Sequence, residues 1–247
     1  KKSKHLILIL KHCYYVFLFY KNKHMKKNLY IQFETSFFDK IINKKRLEMV
    51  DLVKKNIKIT QIKDLLDIGT TEDSSADSSN VFCKMLNKIK IHKSISNQKI
   101  TNKRFKSTIK KSITSKFSKE IIDTFKSDLV LSSATIEHVG SLKNQITKVS
   151  NMISLSREYV VISTPNRFYP IELHTKIPLL HWLPKTFFRK ILLLLNMKYF
   201  ADEKNMNLLS KSDLKKILNI FSQKIDYKIH NIYFLGFVSN FLVICKI

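Results

Sequence analysis

The chain has little of what bends or staples a backbone. Its 247 residues include three glycines, four prolines and three cysteines. Cys13, Cys83 and Cys245 are odd in number, far apart and without a C-x-x-C pair, which argues against a disulfide framework or a zinc site. A reducing, cytoplasmic setting is expected. Gly69, Gly140 and Gly236 are too dispersed to build a glycine-rich phosphate loop. Arginine is scarce too, at positions 46, 104, 157, 167 and 189 only, so 40 of the 45 basic residues are lysine. The formal net charge is +26. Nucleic-acid binders concentrate arginine and aromatics on one face. Lysine spread through a chain rich in Asn, Ile and Phe instead looks like the bias of an AT-rich coding sequence. A generic basic surface is expected, with no specific nucleic-acid partner.

Long apolar runs are missing as well. The first 24 residues hold no acid, but their apolar stretch, Leu6–Tyr20, is broken by Lys11 and His12. It is shorter than the roughly 20 residues a bilayer-spanning helix needs. Two readings stand: a membrane-surface anchor or signal-like segment, and an upstream reading frame ahead of translation from Met25. The second is preferred, leaving 25–247 as one domain, large enough to bury a substantial core.

That domain alternates helical and strand signals. "FFDKIINKKRLEMVDLVKK" (37–55) carries apolar residues at helical spacing, and "IKDLLDIG" (62–69) reads as a strand entering a tight turn. Residues 78–89 read as a helix capped by Asp77 or Ser78, and 91–96 as a weak strand. The lysine-rich stretch 97–118 is featureless apart from a short strand signal in "STIKKSIT" (107–114). Then come a buried strand at 127–133, a turn and helix, and a strand at 157–165 stopped by proline. Helices follow at 185–195 and at 208–221, the latter with a Ser210/Asp213 capping box, and two strands close the chain. Such alternation predicts a doubly wound parallel sheet with an antiparallel pair at one edge.

In such sheets ligands bind beyond the carboxyl ends of the strands. Three unusual segments fall there: "DIGTTEDSS", "SSATIEHVG" and "STPNRFYPIELHTKIPLLHWLP", the last holding all four prolines. A loop of that length in a compact domain is usually functional.

"LLDIG", "SDLVLSSATIEHVGSLKNQI" and "YVVISTPNRFYPIELHTKIPLLHWLPK" resemble the class I S-adenosylmethionine-dependent methyltransferases, specifically the type 11 group. The resemblance spans about residues 37–247. It implies an α/β, Rossmann-like, mostly parallel seven-stranded sheet, with S-adenosyl-L-methionine as cofactor. It implies methyl transfer to a small molecule or a sugar- or lipid-linked precursor. Non-catalytic use of the same fold is the alternative, and an RNA methyltransferase is a weaker one.

By this resemblance Asp67 and Gly69 begin the cofactor loop. Thr70 stands where a further small residue is usual, with the hydroxyls of Thr70, Ser74 and Ser75 as substitute contacts. Asn97 takes the place of the acid that holds the ribose hydroxyls, and Ser115–Phe117 lie near the adenine. Ser132 and Ser133 close over the cofactor. Glu137 and His138 match the family's E-H pair. Either His138 is the base that removes an acceptor proton, or the pair caps the following helix and orients the loop. Ala134 replaces the further glutamate with which some relatives bind a metal, so no metal is expected. Asn166, Arg167, Tyr169, Glu172, His174, His181 and Trp182 are candidates for the acceptor pocket, with Arg167 suited to a carboxylate or phosphate. For Trp182 and Phe168 core packing is expected.

Overall fold

The computed structural model describes residues 36–72 and 80–247, with side chains from 42 onward. The expectations about Leu6–Tyr20, the Asp77/Ser78 cap and the Ser74 and Ser75 hydroxyls lie outside the described residues. Within them, Ser36–Asn56 forms helix α1 and Asp64–Ile68 strand β1. Val81–Met85 is α2, followed by β2 (Ile91–Ser96), β3 (Phe105–Lys110), α3 (Lys119–Phe125) and β4 (Ser127–Ser133). Next come α4 (Leu142–Ser154), β5 (Ser156–Pro165), α5 (Lys185–Leu194) and α6 (Lys198–Ala201). Then α7 (Lys211–Asn219), β6 (Asp226–Phe234) and β7 (Phe237–Lys246) complete the fold.

The seven strands lie in the order β3-β2-β1-β4-β5-β7-β6. Pairing is parallel from β3 through β5 and antiparallel for β5–β7 and β6–β7, as expected from the sequence. The chain runs outward from β1 to β3 and then returns to β4 on the other side of β1. The β1–β4 seam is therefore the point of reversal where such folds bind ligands.

Strand side chains alternate between two cores. Leu66, Val130, Val160, Ile162 and Val243 face α4 and α7, whose Val149, Met152, Leu214 and Ile217 cover them. Leu65, Leu129, Leu131, Val161 and Leu242 face α1 and α2. In α1, Met49, Val50, Val53 and Ile57 fall on one stripe, and each side chain buried there contributes about 1.5–3 kcal/mol. The Ser210/Asp213 capping box starts α7 as read, although that helix is shorter than 208–221. The third strand begins earlier than "STIKKSIT" suggested, and α3, capped by Ser118, was not foreseen. Cys83 and Cys245 are buried free thiols. Among the described residues no helix is long and apolar enough to cross a membrane.

A charge cluster pins the amino ends of the four central strands. Asp64 on β1 meets Lys93 of β2 at 3.0 Å and Arg157 of β5, and it accepts the Asp128 backbone N–H of β4 at 2.9 Å. Arg157 Nε reaches Asp128 at 2.6 Å. Burial alone would raise the Asp64 carboxyl. The hydrogen bonds from Asp128, Lys93 and Arg157 outweigh it and hold the pKa below the ordinary aspartate value. With their amino ends locked, the strands present their carboxyl ends in fixed register.

Asp64→Asn should lower stability by about 2 kcal/mol near neutral pH, measured by urea unfolding, because Lys93 and Arg157 keep their charges and lose their partner. A depressed folded pKa contributes stability above the unfolded value, so the gap between wild type and variant should close as pH falls below that value. Equal stabilities at neutral pH would contradict this role.

Candidate functional site

Four strand ends meet at the carboxyl edge of the sheet. After β1 the chain turns at Gly69, with φ +87° and its N–H donated to the Ile95 carbonyl of β2 at 2.9 Å. A side chain is excluded twice. The conformation is left-handed, and a Cβ would lie 2.6 Å from Thr135 Cγ2. Thr70 turns inward: its hydroxyl donates to Asp67 Oδ2 and accepts from Ser94, both at 2.7 Å. The hydroxyl expected to replace cofactor contacts is thus spent on fixing the loop. Ser96 at the end of β2 donates to the Thr70 carbonyl at 2.7 Å. Asn97 follows β2 directly and is exposed. Phe117 packs into the core, and the Ser115 carbonyl accepts from Asn151 of α4.

Across the seam, Ser132 is buried and donates to the Ile68 carbonyl at 3.1 Å while pairing with the Thr135 hydroxyl. Ser133 accepts from Ser163 at 3.0 Å. Ala134 holds a left-handed φ of 49°, which swings the chain out of β4. Glu137 is buried, accepts from Thr164 of β5 at 3.1 Å, and takes the Asn207 N–H on its backbone carbonyl. The cap of α4 is Ser141, whose hydroxyl accepts the Asn144 N–H. The helix-capping alternative for Glu137 and His138 is thereby corrected: an acid held in the core by Thr164 cannot reach the helix end.

His138 Nδ1 lies 2.7 Å from the Asn205 carbonyl, which can only accept, so Nδ1 carries the proton and Nε2 is in the acceptor form. Burial and then the neighbouring His174 and Lys148 lower its pKa against the pull of Glu137, keeping the ring neutral.

Lys148 escaped the sequence reading. It is fully buried on α4, donates to Thr135, and is drawn electrostatically to Glu137 and Asp67. Burial lowers its pKa to about 7, and burial raises that of Asp67 to about 6 despite Thr70, Cys83 and Lys148. Its signal was positional: Gln145, Lys148, Val149 and Met152 share the buried stripe of α4.

In the long loop, Asn166 ties β5 to β7 by donating to the Val238 carbonyl at 2.8 Å. Arg167 donates to the His181 and Leu183 carbonyls, so its guanidinium clasps the loop's far end. Tyr169 is buried, which raises its hydroxyl pKa to about 12, and its carbonyl takes the His181 ring N–H at 2.7 Å. Glu172, also buried, receives the His174 and Thr175 backbone N–H groups and His174 Nδ1 at 2.6 Å. Those bonds and the His174 charge overcome burial and bring Glu172 down to about 2. His174 then stands edge-on to His138, ring centroids 4.9 Å apart. Phe168 and Trp182 are not core residues, being 48% and 44% exposed. The Arg167 guanidinium lies 5.4 Å over the Phe168 ring, and Trp182 directs its indole N–H at the Tyr169 carbonyl, so both rings find partners without burial.

Glu137, His138 and His174 bring three ligand atoms within 4.8 Å of one another, a donor set of one carboxylate and two imidazoles that suits a divalent cation. The Ala134 methyl offers no fourth ligand. The structure thus joins the E-H pair to the Glu172–His174 pair and sets both beside the Gly69 turn through Thr135 and Lys148. It turns Thr70 away and gives Arg167 a loop-fastening role.

No family model matches the chain, and no curated protein matches it. Solved structures do. The methyltransferase domain of bacterial CtHen1 superposes with a TM-score of 0.51 at 12% identity, over 83% of this chain and all of that one. An O-methyltransferase family protein from Burkholderia thailandensis gives 0.53 at 8% identity, over 85% of this chain and 58% of the other. A cyclopropane-fatty-acyl-phospholipid synthase-like protein from Lactobacillus casei gives 0.50 at 10% identity, over 84% and 92%. The fold is that of the class I S-adenosylmethionine-dependent methyltransferases.

Because the unfolded chain holds the Lys148 proton up to about pH 10 and the folded chain only to about 7, the unfolded state binds more protons between those values. Lys148 thus contributes a rise in stability with pH across this window. Urea unfolding at neutral and mildly alkaline pH should show that rise in wild type and a flatter dependence in Lys148→Met. Parallel curves would refute a buried, readily deprotonated amine.

Proposed function

We propose that the chain binds S-adenosyl-L-methionine across the carboxyl ends of β1 and β4 and transfers its methyl group to a small molecule or a sugar- or lipid-linked acceptor. The observation that carries this reading is the Gly69 turn, closed against Thr135 at the point of sheet reversal. No other residue type could close the turn this tightly at the strand end where such folds bind ligands. Asp67 and Gly69 fix the floor of the cofactor site, and Thr70 braces it from within. Ser132 and Ser133 shape its β4 wall. Asn97 faces the ribose, accepting through one carbonyl oxygen where a carboxylate would offer two.

The bound sulfonium supplies an activated methyl group. What remains for the protein is alignment, exclusion of water and removal of a proton. His138, with Nδ1–H anchored on Asn205 and a lowered pKa, is suited to take that proton on Nε2, and Glu137 beside it at 3.9 Å favours the imidazolium that forms. Asn166, Arg167, Tyr169, Glu172 and His174 form the acceptor side. Tyr169 and Arg167 hold the loop's shape, and the Glu172–His174 pair faces His138.

The alternative, a methyltransferase fold that only binds, is favoured by Asn97 and the inward Thr70. Calorimetric titration separates the two. S-Adenosylmethionine and S-adenosylhomocysteine should both bind with micromolar affinity, and Gly69→Arg should abolish binding. Asn97→Asp should tighten it about fivefold, since a charged acceptor roughly doubles the strength of a hydrogen bond. Folded wild type that binds neither ligand would sink the proposal. Binding without turnover on any acceptor would leave the binding-only alternative.

A further inference from the structure

Seven of the fifteen exposed large apolar side chains among the described residues fall within positions 179–199. They gather around α5. Phe188 and Leu192 point inward, packing with Met197, Met206 and Leu208. Phe187, Lys190 and Leu194, spaced i, i+3 and i+7, lie on the opposite face. Phe187 is 60% exposed and Leu194 85%, with Trp182, Leu183 and Leu193 exposed beside them. A solvated helix face of a globular protein is ordinarily polar. Here it is apolar and bare.

The charge carried by the segment itself has one sign. Between Glu172 and Asp202 there is no acidic residue, whereas Lys176, Lys185, Arg189, Lys190 and Lys198 all fall in that interval. The Lys190 ammonium lies 5.9 Å over the Phe187 ring, which sets a cationic head directly beside the apolar face. Arg189 is paired with Glu203 at 3.2 Å, yet the lysines still leave the edge net basic, and an aromatic and aliphatic face with such an edge matches an interfacial helix lying on anionic lipid. A nucleic acid would stack on aromatic planes and has no use for Leu193 and Leu194.

We propose that the outer face of α5, with Trp182 and Leu183 ahead of it, docks on an anionic membrane surface. Arg167 fastens this segment to the acceptor loop through the Leu183 and His181 carbonyls, so docking sets the acceptor loop at the lipid–water boundary. Resting on the methyltransferase reading above, the acceptor is then an amphiphile: a polar group carried on a lipid, met in the membrane plane.

The test is co-sedimentation of the full chain with vesicles of phosphatidylcholine alone and with vesicles in which about a third of the lipid is phosphatidylglycerol. No cofactor is needed, so the outcome is independent of S-adenosylmethionine binding. Wild type should partition onto the anionic vesicles. Phe187→Ser with Leu194→Ser, both at exposed sites that leave the fold intact, should weaken partitioning about tenfold. Lys190→Gln with Lys198→Gln should weaken it on anionic vesicles and not on neutral ones. Partitioning that the Phe187/Leu194 pair leaves within about twofold would overturn the proposal, whichever other segment then holds the chain to lipid. So would a wild-type dimer that ignores vesicles and that the same pair converts to monomer, because the face would then belong to a second copy.

Discussion

Everything at the carboxyl edge of the sheet depends on how closely the β1 turn approaches the β4 loop. Gly69 leaves no room for a Cβ beneath Thr135, so the two loops touch backbone to side chain across the line where the sheet order reverses. From Thr135 the contact spreads. Its hydroxyl meets Ser132, which holds the Ile68 carbonyl, and it receives Lys148 from α4. Thr70 and Ser94 continue the chain to β2, and Glu137 with Thr164 carries it to β5. Four strand ends thus share one hydrogen-bonded frame, built mostly from hydroxyls in a chain with almost no glycine to spare.

That frame encloses more charge than a core ordinarily tolerates. Asp67, Lys148, Glu137 and Glu172 are all buried, with His138 and His174 close by. Burial pulls Asp67 upward to about 6 and Lys148 downward to about 7, so both groups titrate close to neutral pH. Glu172 goes the other way because two backbone N–H groups and the His174 ring surround it. Carboxyl groups pushed apart by their surroundings are the usual mark of a site with division of labour. At the opposite edge Asp64, Asp128, Lys93 and Arg157 make a cluster partly open to solvent, whose work is register.

The architecture was legible because its strongest signals are local. "SDLVLSS" and "REYVVISTP" are apolar runs of strand length with polar stops, and the two closing strands leave no room for a helix between them. Ser210 and Asp213 announce the start of α7 on their own. Lysine hid the rest. In a chain with 40 of them, Lys148 looks like surface until its place on the buried stripe of α4 is counted. α3 vanished into the same polar background, and β3 was misplaced by two residues at its start. Phe168 and Trp182 were assigned to the core because aromatic residues usually belong there. A loop can instead hold them half exposed against Arg167 and the Tyr169 carbonyl. The pairing of Glu172 with His174 and their approach to His138 come from loop folding, which no spacing rule encodes.

Hydrogen–deuterium exchange with and without S-adenosylhomocysteine tests the central claim most directly. The account predicts ligand-induced protection concentrated at 67–72, 96–98 and 132–138, the carboxyl ends of β1, β2 and β4, with the Asp64–Arg157 edge unchanged. Protection elsewhere in the fold, with these three segments exchanging as in the free protein, would contradict it.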